Sequence, residues 1–400
     1  MFKKSLAVPY AVAAVLGASG WGTALADVPL PSVDGKIYAD LTNLTQQNNG
    51  TDTSNSGTGV DVKRFYLMVN EKFDSMWSAK LESDATYNSV TASTCTGSGL
   101  TTKCTTGTTS QQVDVYMKNA WLQMTLDPAF WVRLGESDMP WILFDERVYG
   151  HRYVEHTLID RLHFGNSTDW GLHVGGDVDG KLLSYQLSAV NGAGYKNPTR
   201  SKDMDVAGRV SLQPLPGVII GLGGYSGKLG QDKDDNLVTV DTVAVPQAYR
   251  TANRVDALAA YVAHGLRVGV EYFSASNWTN GISGADDVPE FTSSGKANPS
   301  DKADGTSVFA SYDFTPMWGV FGRWDQAKLS QDLAPGLKDQ YVNVGLEAHP
   351  IRNVDVALVY KHEKMDGGPA TSTFSTTNGG GFNEANGKYD EVGIWTQASF

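Results

Sequence analysis

Sixteen times between Gly35 and Phe400 the sequence alternates apolar and polar residues with a period of two. A strand turns successive side chains to opposite faces, so each segment reads as a strand with one apolar and one polar face. The last is the clearest. Val392, Ile394, Thr396, Ala398 and Phe400 share one face, and Glu391, Gly393, Trp395, Gln397 and Ser399 share the other. The connections alternate in length. Seven are short, from Asn70–Ser75 to His349–Asn353, and include His264-Gly265. Eight are long and polar, near 46–59, 88–112, 136–166, 191–203, 226–253, 275–304, 327–339 and 364–388. A β-sandwich has no reason to alternate its loops so regularly. The pattern predicts an all-β transmembrane barrel of sixteen antiparallel up-and-down strands, with short turns in the periplasm and long loops outside.

Charge placement supports this reading. A Lys or Arg facing lipid at mid-bilayer costs about 2–4 kcal/mol. The strand charges fall almost entirely opposite the apolar set, which makes Arg64, Lys80, Arg209, Arg267, Glu271 and Arg323 pore-wall residues. One register is ambiguous: within 113–126, Lys118 and Asn119 both compete to face away from lipid.

Residues 1–26 read as a secretory signal, with Lys3 and Lys4, an apolar run and an Ala24-Leu25-Ala26 cleavage site. The barrel is then expected over 27–400, in the Gram-negative outer membrane after export through the periplasm. The terminal Phe400 resembles the ending of outer-membrane barrels that the assembly machinery reads. In an oxidising compartment Cys95 and Cys104, the only two cysteines, are expected to form a disulfide. A net charge of −12 argues against a nucleic-acid partner.

Two regions carry more specific information. One is the stretch DVKRFYLMVNEKFDSMWSAKLE at 61–82. The other runs from KNAWLQM at 118–124 through VRLGESDMPW at 132–141 to Asp145, Glu146 and Arg147. Together with WGLHVGG at 170–176 and VNGAG at 190–194, they resemble the phosphate-selective porin O/P family. The resemblance implies a homotrimer of sixteen-stranded barrels, each narrowed by an inward-folded third loop, with Arg and a few Lys meeting phosphate. The chain departs from that pattern, because 137–164 contains no Lys.

The loop at 136–166 is the expected constriction, with Arg133 at its root and Asp145, Glu146, Arg147, His151, Arg152, Glu155, His156 and Arg161 within it. From Asp138 to His163 the five acids and three arginines sum to −2, or +1 with His151, His156 and His163 protonated. Histidine titrates near ~6.5, so the loop could switch sign in mild acid. Alternatively, these groups pair with one another and the wall and pin the loop. No catalytic constellation, metal-ligand spacing or cofactor motif stands out. Asp232, Asp234 and Asn236 read as a solvated loop tip rather than a calcium loop. The expected function is passive diffusion of small ions and hydrophilic solutes, in contact with outer-membrane lipid and lipopolysaccharide. Anion or phosphate uptake is the alternative, and a surface adhesin or structural barrel a third.

Overall fold

The computed structural model describes residues 31–400 except 54–55, 97–102, 234–236, 241–242, 247–248, 279–299, 368–373, 376–380 and 383–385, with no side-chain description in 86–112, 234–248 and 368–385. Among the described residues sixteen long strands follow one another: β1 (Ser32–Asn48), β2 (Gly57–Lys72), β3 (Trp77–Thr96), β4 (Lys103–Asp127), β5 (Phe130–Asp138), β6 (Thr168–Val178), β7 (Leu183–Val190), β8 (Asp205–Leu212), β9 (Val218–Gly227), β10 (Ala252–Ala263), β11 (Leu266–Ser276), β12 (Lys302–Asp313), β13 (Trp318–Lys328), β14 (Lys338–Ile351), β15 (Val354–Asp366) and β16 (Gly387–Ser399). Each pairs antiparallel with its sequence neighbours, and β1 pairs with both β2 and β16. The sheet therefore closes into a barrel. Between β5 and β6 lie α1 (Ile142–Tyr149) and the single turn α2 (Leu158–Arg161).

The two strand faces differ as the alternation requires. On β15, Leu358 and Tyr360 are exposed outside, while Ala357, Val359, Lys361 and Glu363 are buried inside. On β11, Val268, Val270 and Tyr272 are exposed, against buried Glu271 and Phe273. No helix among the described residues is long and apolar enough to cross a membrane. Turn chemistry also follows the sequence. His264 and Gly265 both have positive φ, 55° and 74°, as a two-residue hairpin matched to strand twist requires.

Two β-bulges explain what alternation leaves open. Glu82 pairs with Asn119 and Ser83 with Met117, so Lys118 is the extra residue. An extra residue lets adjacent side chains share a face. Lys118 and Asn119 are both buried on the inside, so neither side of the ambiguous register loses. A second bulge sets Tyr38 opposite Arg64 and Ala39 opposite Val62, with Lys63 extra. Lys63 thereby reaches Asp40 inside the barrel at 3.1 Å.

The loop expected at 88–112 needs correction. Strand pairing between β3 and β4 continues through most of it, up to Thr96 opposite Lys103. Thr- and Ser-rich polar sequence reads as loop, yet β-branched Thr suits a pleated strand. The loops expected near 46–59, 226–253 and 364–388 each contain a short two-stranded pairing. The signal segment, the calcium-like tip beyond Lys233 and the side chains of Cys95 and Cys104 lie outside the described residues.

Candidate functional site

The segment 139–167 carries most of the residues expected at the constriction. Pro140 ends β5 and cannot continue its hydrogen bonding. Helix α1 follows. It closes at Gly150, whose φ of 86° favours glycine and whose N–H donates to the Glu146 carbonyl at 2.8 Å. Two further glycines make room for the helix start. A Cβ on Gly223 would collide with the Trp141 ring, and one on Gly221 would stand 2.7 Å from Phe144. The bare β9 backbone thus lets both aromatic rings lie against the wall.

From there the segment follows the inner wall. Arg209 on β8 donates to the Pro140 carbonyl at 2.7 Å. Arg267 on β11 donates to the carbonyls of Arg147 and Val148, Arg254 on β10 to that of Phe164, and Arg323 on β13 to that of His156. Lys361 on β15 donates to the Val154 carbonyl at 2.8 Å and lies 3.3 Å from Glu155. An irregular segment has backbone carbonyls that no strand satisfies, and long cationic side chains of the strands satisfy them.

The tightest fixture is Arg161. It is 1% exposed and reaches Asp325 at 3.3 Å, Asp339 at 2.5 Å and Glu363 at 2.5 Å, on β13, β14 and β15. Tyr341 stacks under its guanidinium at 4.5 Å. Burial alone would lower the guanidinium pKa, but Asp339, Glu363 and Asp325 outweigh it and raise it. His151 Nε2 meets Glu347 at 2.9 Å, and its ring stacks on Phe321 at 4.2 Å. His156 pairs with Asp160. Burial first, then Arg152, lowers the His156 pKa to about 4, against the pull of Asp160. For Glu155, burial would raise the pKa, but Lys361 and Lys63 hold it well below the usual carboxylate range.

These placements correct the expected constriction. Asp145, His151, Glu155, His156 and Arg161 belong to the loop but are buried between it and the wall. Glu271 and Arg323, expected to meet open water, are covered by the loop as well. A loop laid on a charged wall has a hidden face and an open face, and sequence spacing does not distinguish them. For the same reason the pairing alternative describes His151 and His156, which are buried, while His163 is exposed. Asp145 is 2% exposed with neither carboxylate oxygen hydrogen-bonded, and its pKa is raised well above the ordinary value by burial, then by Glu271 and Asp256.

The open face presents Glu146, Arg147 and Arg152. Arg152 donates to Glu146 at 2.5 Å. Across the gap stand Lys36, Tyr38, Tyr66, Glu82 and Lys118 from β1 to β4, enclosing with the loop a recess of about 320 Å³. Lys118 lies 4.5 Å over the Tyr66 ring, so a π face holds its charge. Four cations and two carboxylates line this space, Lys36, Lys118, Arg147 and Arg152 against Glu82 and Glu146. Beside it, Arg64 pairs with Asp84 at 3.0 Å and Lys80 with Glu82 at 2.5 Å. Arg147 also lines a second recess of about 320 Å³, with Lys181, Arg209, Arg267 and Asp177. Arg133 takes no part in the first recess. It stacks on Trp121 and Trp131 at 4.1 and 4.7 Å and donates to Gln123 and Ser137.

The lysines absent from the loop are therefore found on the wall opposite it. Lys36 lies in an ordinary alternation and is readable from sequence. Lys118 and Lys63 depend on bulges, and Arg254 shares the Asp256 face but precedes the part of β10 that alternates clearly.

A family model for phosphate-selective porin O and P matches residues 32–378. No curated protein sequence matches. Among solved structures, an anion-selective porin from Comamonas acidovorans aligns at TM-score 0.59 and 11% identity, covering 92% of this chain and 99% of that one. The trimer form of OmpT, an outer membrane protein of Vibrio cholerae, aligns at 0.53 and 12%, covering 94% and 100%. The outer membrane channel DcaP of Acinetobacter baumannii aligns at 0.56 and 11%, covering 92% and 97%. These likenesses show the fold. With the family matched over most of its length, the chain belongs to the phosphate-selective porin O and P family and forms an outer-membrane channel.

Proposed function

We propose that the channel passes small hydrophilic solutes with a preference for anions, oxyanions such as phosphate among them. The observation that carries this is the recess between Lys36 and Lys118 on one side and Arg147 and Arg152 on the other. Its formal charge is +2, counting Lys36, Lys118, Arg147 and Arg152 against Glu82 and Glu146. Fixed charge of one sign around a narrow, water-filled passage raises the local concentration of the opposite ion. The mechanism is steric and electrostatic filtering, with no covalent step. Segment 139–167 serves as the inward-folded third loop. Its contacts with β8 to β15 leave the passage against β1 to β4.

Short turns face the periplasm and long loops the outside, as in other barrels of this type. Residues 1–26 direct export and are removed. The assembly is a homotrimer in contact with outer-membrane lipid and lipopolysaccharide. The long β3–β4 hairpin supports assembly. Beyond Ala85 and Ala120 its two strands pair only with each other, and an isolated two-stranded ribbon is marginal in water without a surface to cover it.

Purified channels in a planar bilayer under a KCl gradient test the reading. A zero-current potential of anion sign, with chloride current blocked by added phosphate, is expected. A cation-sign potential overturns the anion preference, and anion preference without phosphate block removes phosphate from the solutes.

A further inference from the structure

A second cluster lies away from the constriction, at the end of the barrel that carries the short turns. His349, near the end of β14, faces inward there with Asp313 from the end of β12 and Glu347 two residues before it. The candidate ligand atoms of these three residues all lie within 4.8 Å of one another. His349 Nε2 is 3.6 Å from Asp313 Oδ1. Two ligands of one tetrahedral zinc ion stand about 3.4 Å apart, given bonds near ~2.0–2.1 Å.

The support around the cluster resembles that of a metal site. Asp355 on β15 accepts from His349 Nδ1 at 2.6 Å, which turns Nε2 toward Asp313 and Glu347. Asp355 is held in turn by Gln397 on β16, which donates to its second oxygen. A carboxylate behind one imidazole nitrogen sets the tautomer that leaves the other nitrogen free to bind metal. Gly319 on β13 keeps the space beside the cluster open: a Cβ there would stand 2.5 Å from Asp313 Oδ1 and 3.1 Å from Glu347 Oε1. Glu347 also accepts from His151 Nε2 and Tyr153 Oη, which fixes its carboxylate. The nearby charges are the three carboxylates of Asp313, Glu347 and Asp355 against Arg267, a negative excess suited to a dication. The other cluster of this kind among the described residues, Glu146, His156 and Asp160, already holds a cation, the Arg152 guanidinium.

We propose that His349, Asp313 and Glu347 bind a divalent transition-metal ion of the zinc type at the short-turn mouth of the barrel, with Asp355 as the positioning residue for His349. The mixed imidazole and carboxylate set suits Zn²⁺ better than Ca²⁺ or Mg²⁺, which prefer oxygen alone.

The test uses untagged, folded protein in detergent and Zn²⁺ alone as the probe, followed by calorimetry, with the visible Co²⁺ band as the signature of a low-coordinate site of the zinc type. Saturable Zn²⁺ binding at one site per chain is expected. His349→Ala should weaken it by roughly 100-fold or more and abolish the Co²⁺ band, and Asp355→Asn should weaken it about 10–100-fold with the band retained. Heat-modifiable migration of each variant establishes that the barrel is folded. No saturable binding at millimolar Zn²⁺, or equal binding by wild type and His349→Ala, overturns the proposal. So does Ca²⁺ binding as tightly as Zn²⁺.

Discussion

Replacing Arg161 with Met should release the loop without opening the barrel. The side chain keeps its approximate length and loses its charge. It leaves Asp325, Asp339 and Glu363 around a site that is 1% exposed. Arg323 still pairs with Asp325 at 2.5 Å, but no cation remains for Asp339 and Glu363 among the contacts described for them. Removing one partner of a buried ion pair typically costs about 3–5 kcal/mol. At about 1.4 kcal/mol per factor of ten, that shifts docking of the loop by roughly two to three and a half powers of ten. The strand pairing of β13 to β15 runs along ten or more residue pairs per neighbour and does not depend on Arg161. The cost therefore falls on the loop. Hydrogen exchange over 156–162 should accelerate by about two orders of magnitude or more, while exchange in β13 to β15 stays slow. Single-channel current should become noisier and less anion-preferring. Adding Asp339→Asn to Arg161→Met should recover part of the protection, because it removes one of the uncompensated charges. Wild-type exchange over 156–162 in a folded Arg161→Met channel would refute this reasoning.

Three other perturbations act on separate parts of the molecule. Gly223→Val puts a side chain where the Trp141 ring lies, so α1 should shift off β9 and tryptophan fluorescence and conductance should both change; an unchanged channel would contradict the packing of the loop root. His156 has a folded pKa lowered to about 4, below the ordinary ~6.5, so its contribution to docking is complete above pH ~6.5 and is lost as pH falls toward 4. His156→Gln should therefore leave the pH profile of selectivity between 8 and 5 unchanged, and should remove acid-induced loosening of 156–162 measured by hydrogen exchange corrected for intrinsic rates. Cys95 and Cys104 are directly opposed in the β3–β4 hairpin, and opposed residues have Cα spacings of about 4.5–5.5 Å, inside the range of a disulfide. Exported protein should show no thiol to an alkylating reagent until it is reduced; two reactive thiols before reduction would refute the bond.

Much of the barrel is legible in the sequence because period two is enforced by the environment. Each strand must show one apolar face to lipid, and a misplaced charge there is costly. Val342, Val344 and Leu346 against Asn343 and Glu347, for example, leave one choice of face. The β3–β4 hairpin is harder to read, because its Thr- and Ser-rich sequence lacks an apolar face to alternate against. Bulges hide in the same way. They break the period at Lys63 and Lys118, the positions that bring extra lysines inside. In the loop, residue types are informative and directions are not. Arg147 and Arg161 are chemically equivalent in the sequence, yet Arg147 faces open water while Arg161 is buried among three acids of strands that lie more than 160 residues later. Long-range partners of this kind carry no local signal.

Anion preference set by the recess is read from the zero-current potential of wild type and of the Lys36→Glu, Lys118→Gln double variant, side by side under one KCl gradient. Lys36 and Lys118 supply two of the four cations of the recess, and the double variant changes its formal charge from +2 to −1. Wild type should give an anion-sign potential, and the variant should lose or reverse that sign, with both folded as heat-modifiable barrels. A wild-type potential of cation sign, or the same anion preference in both, would contradict a preference set by the recess.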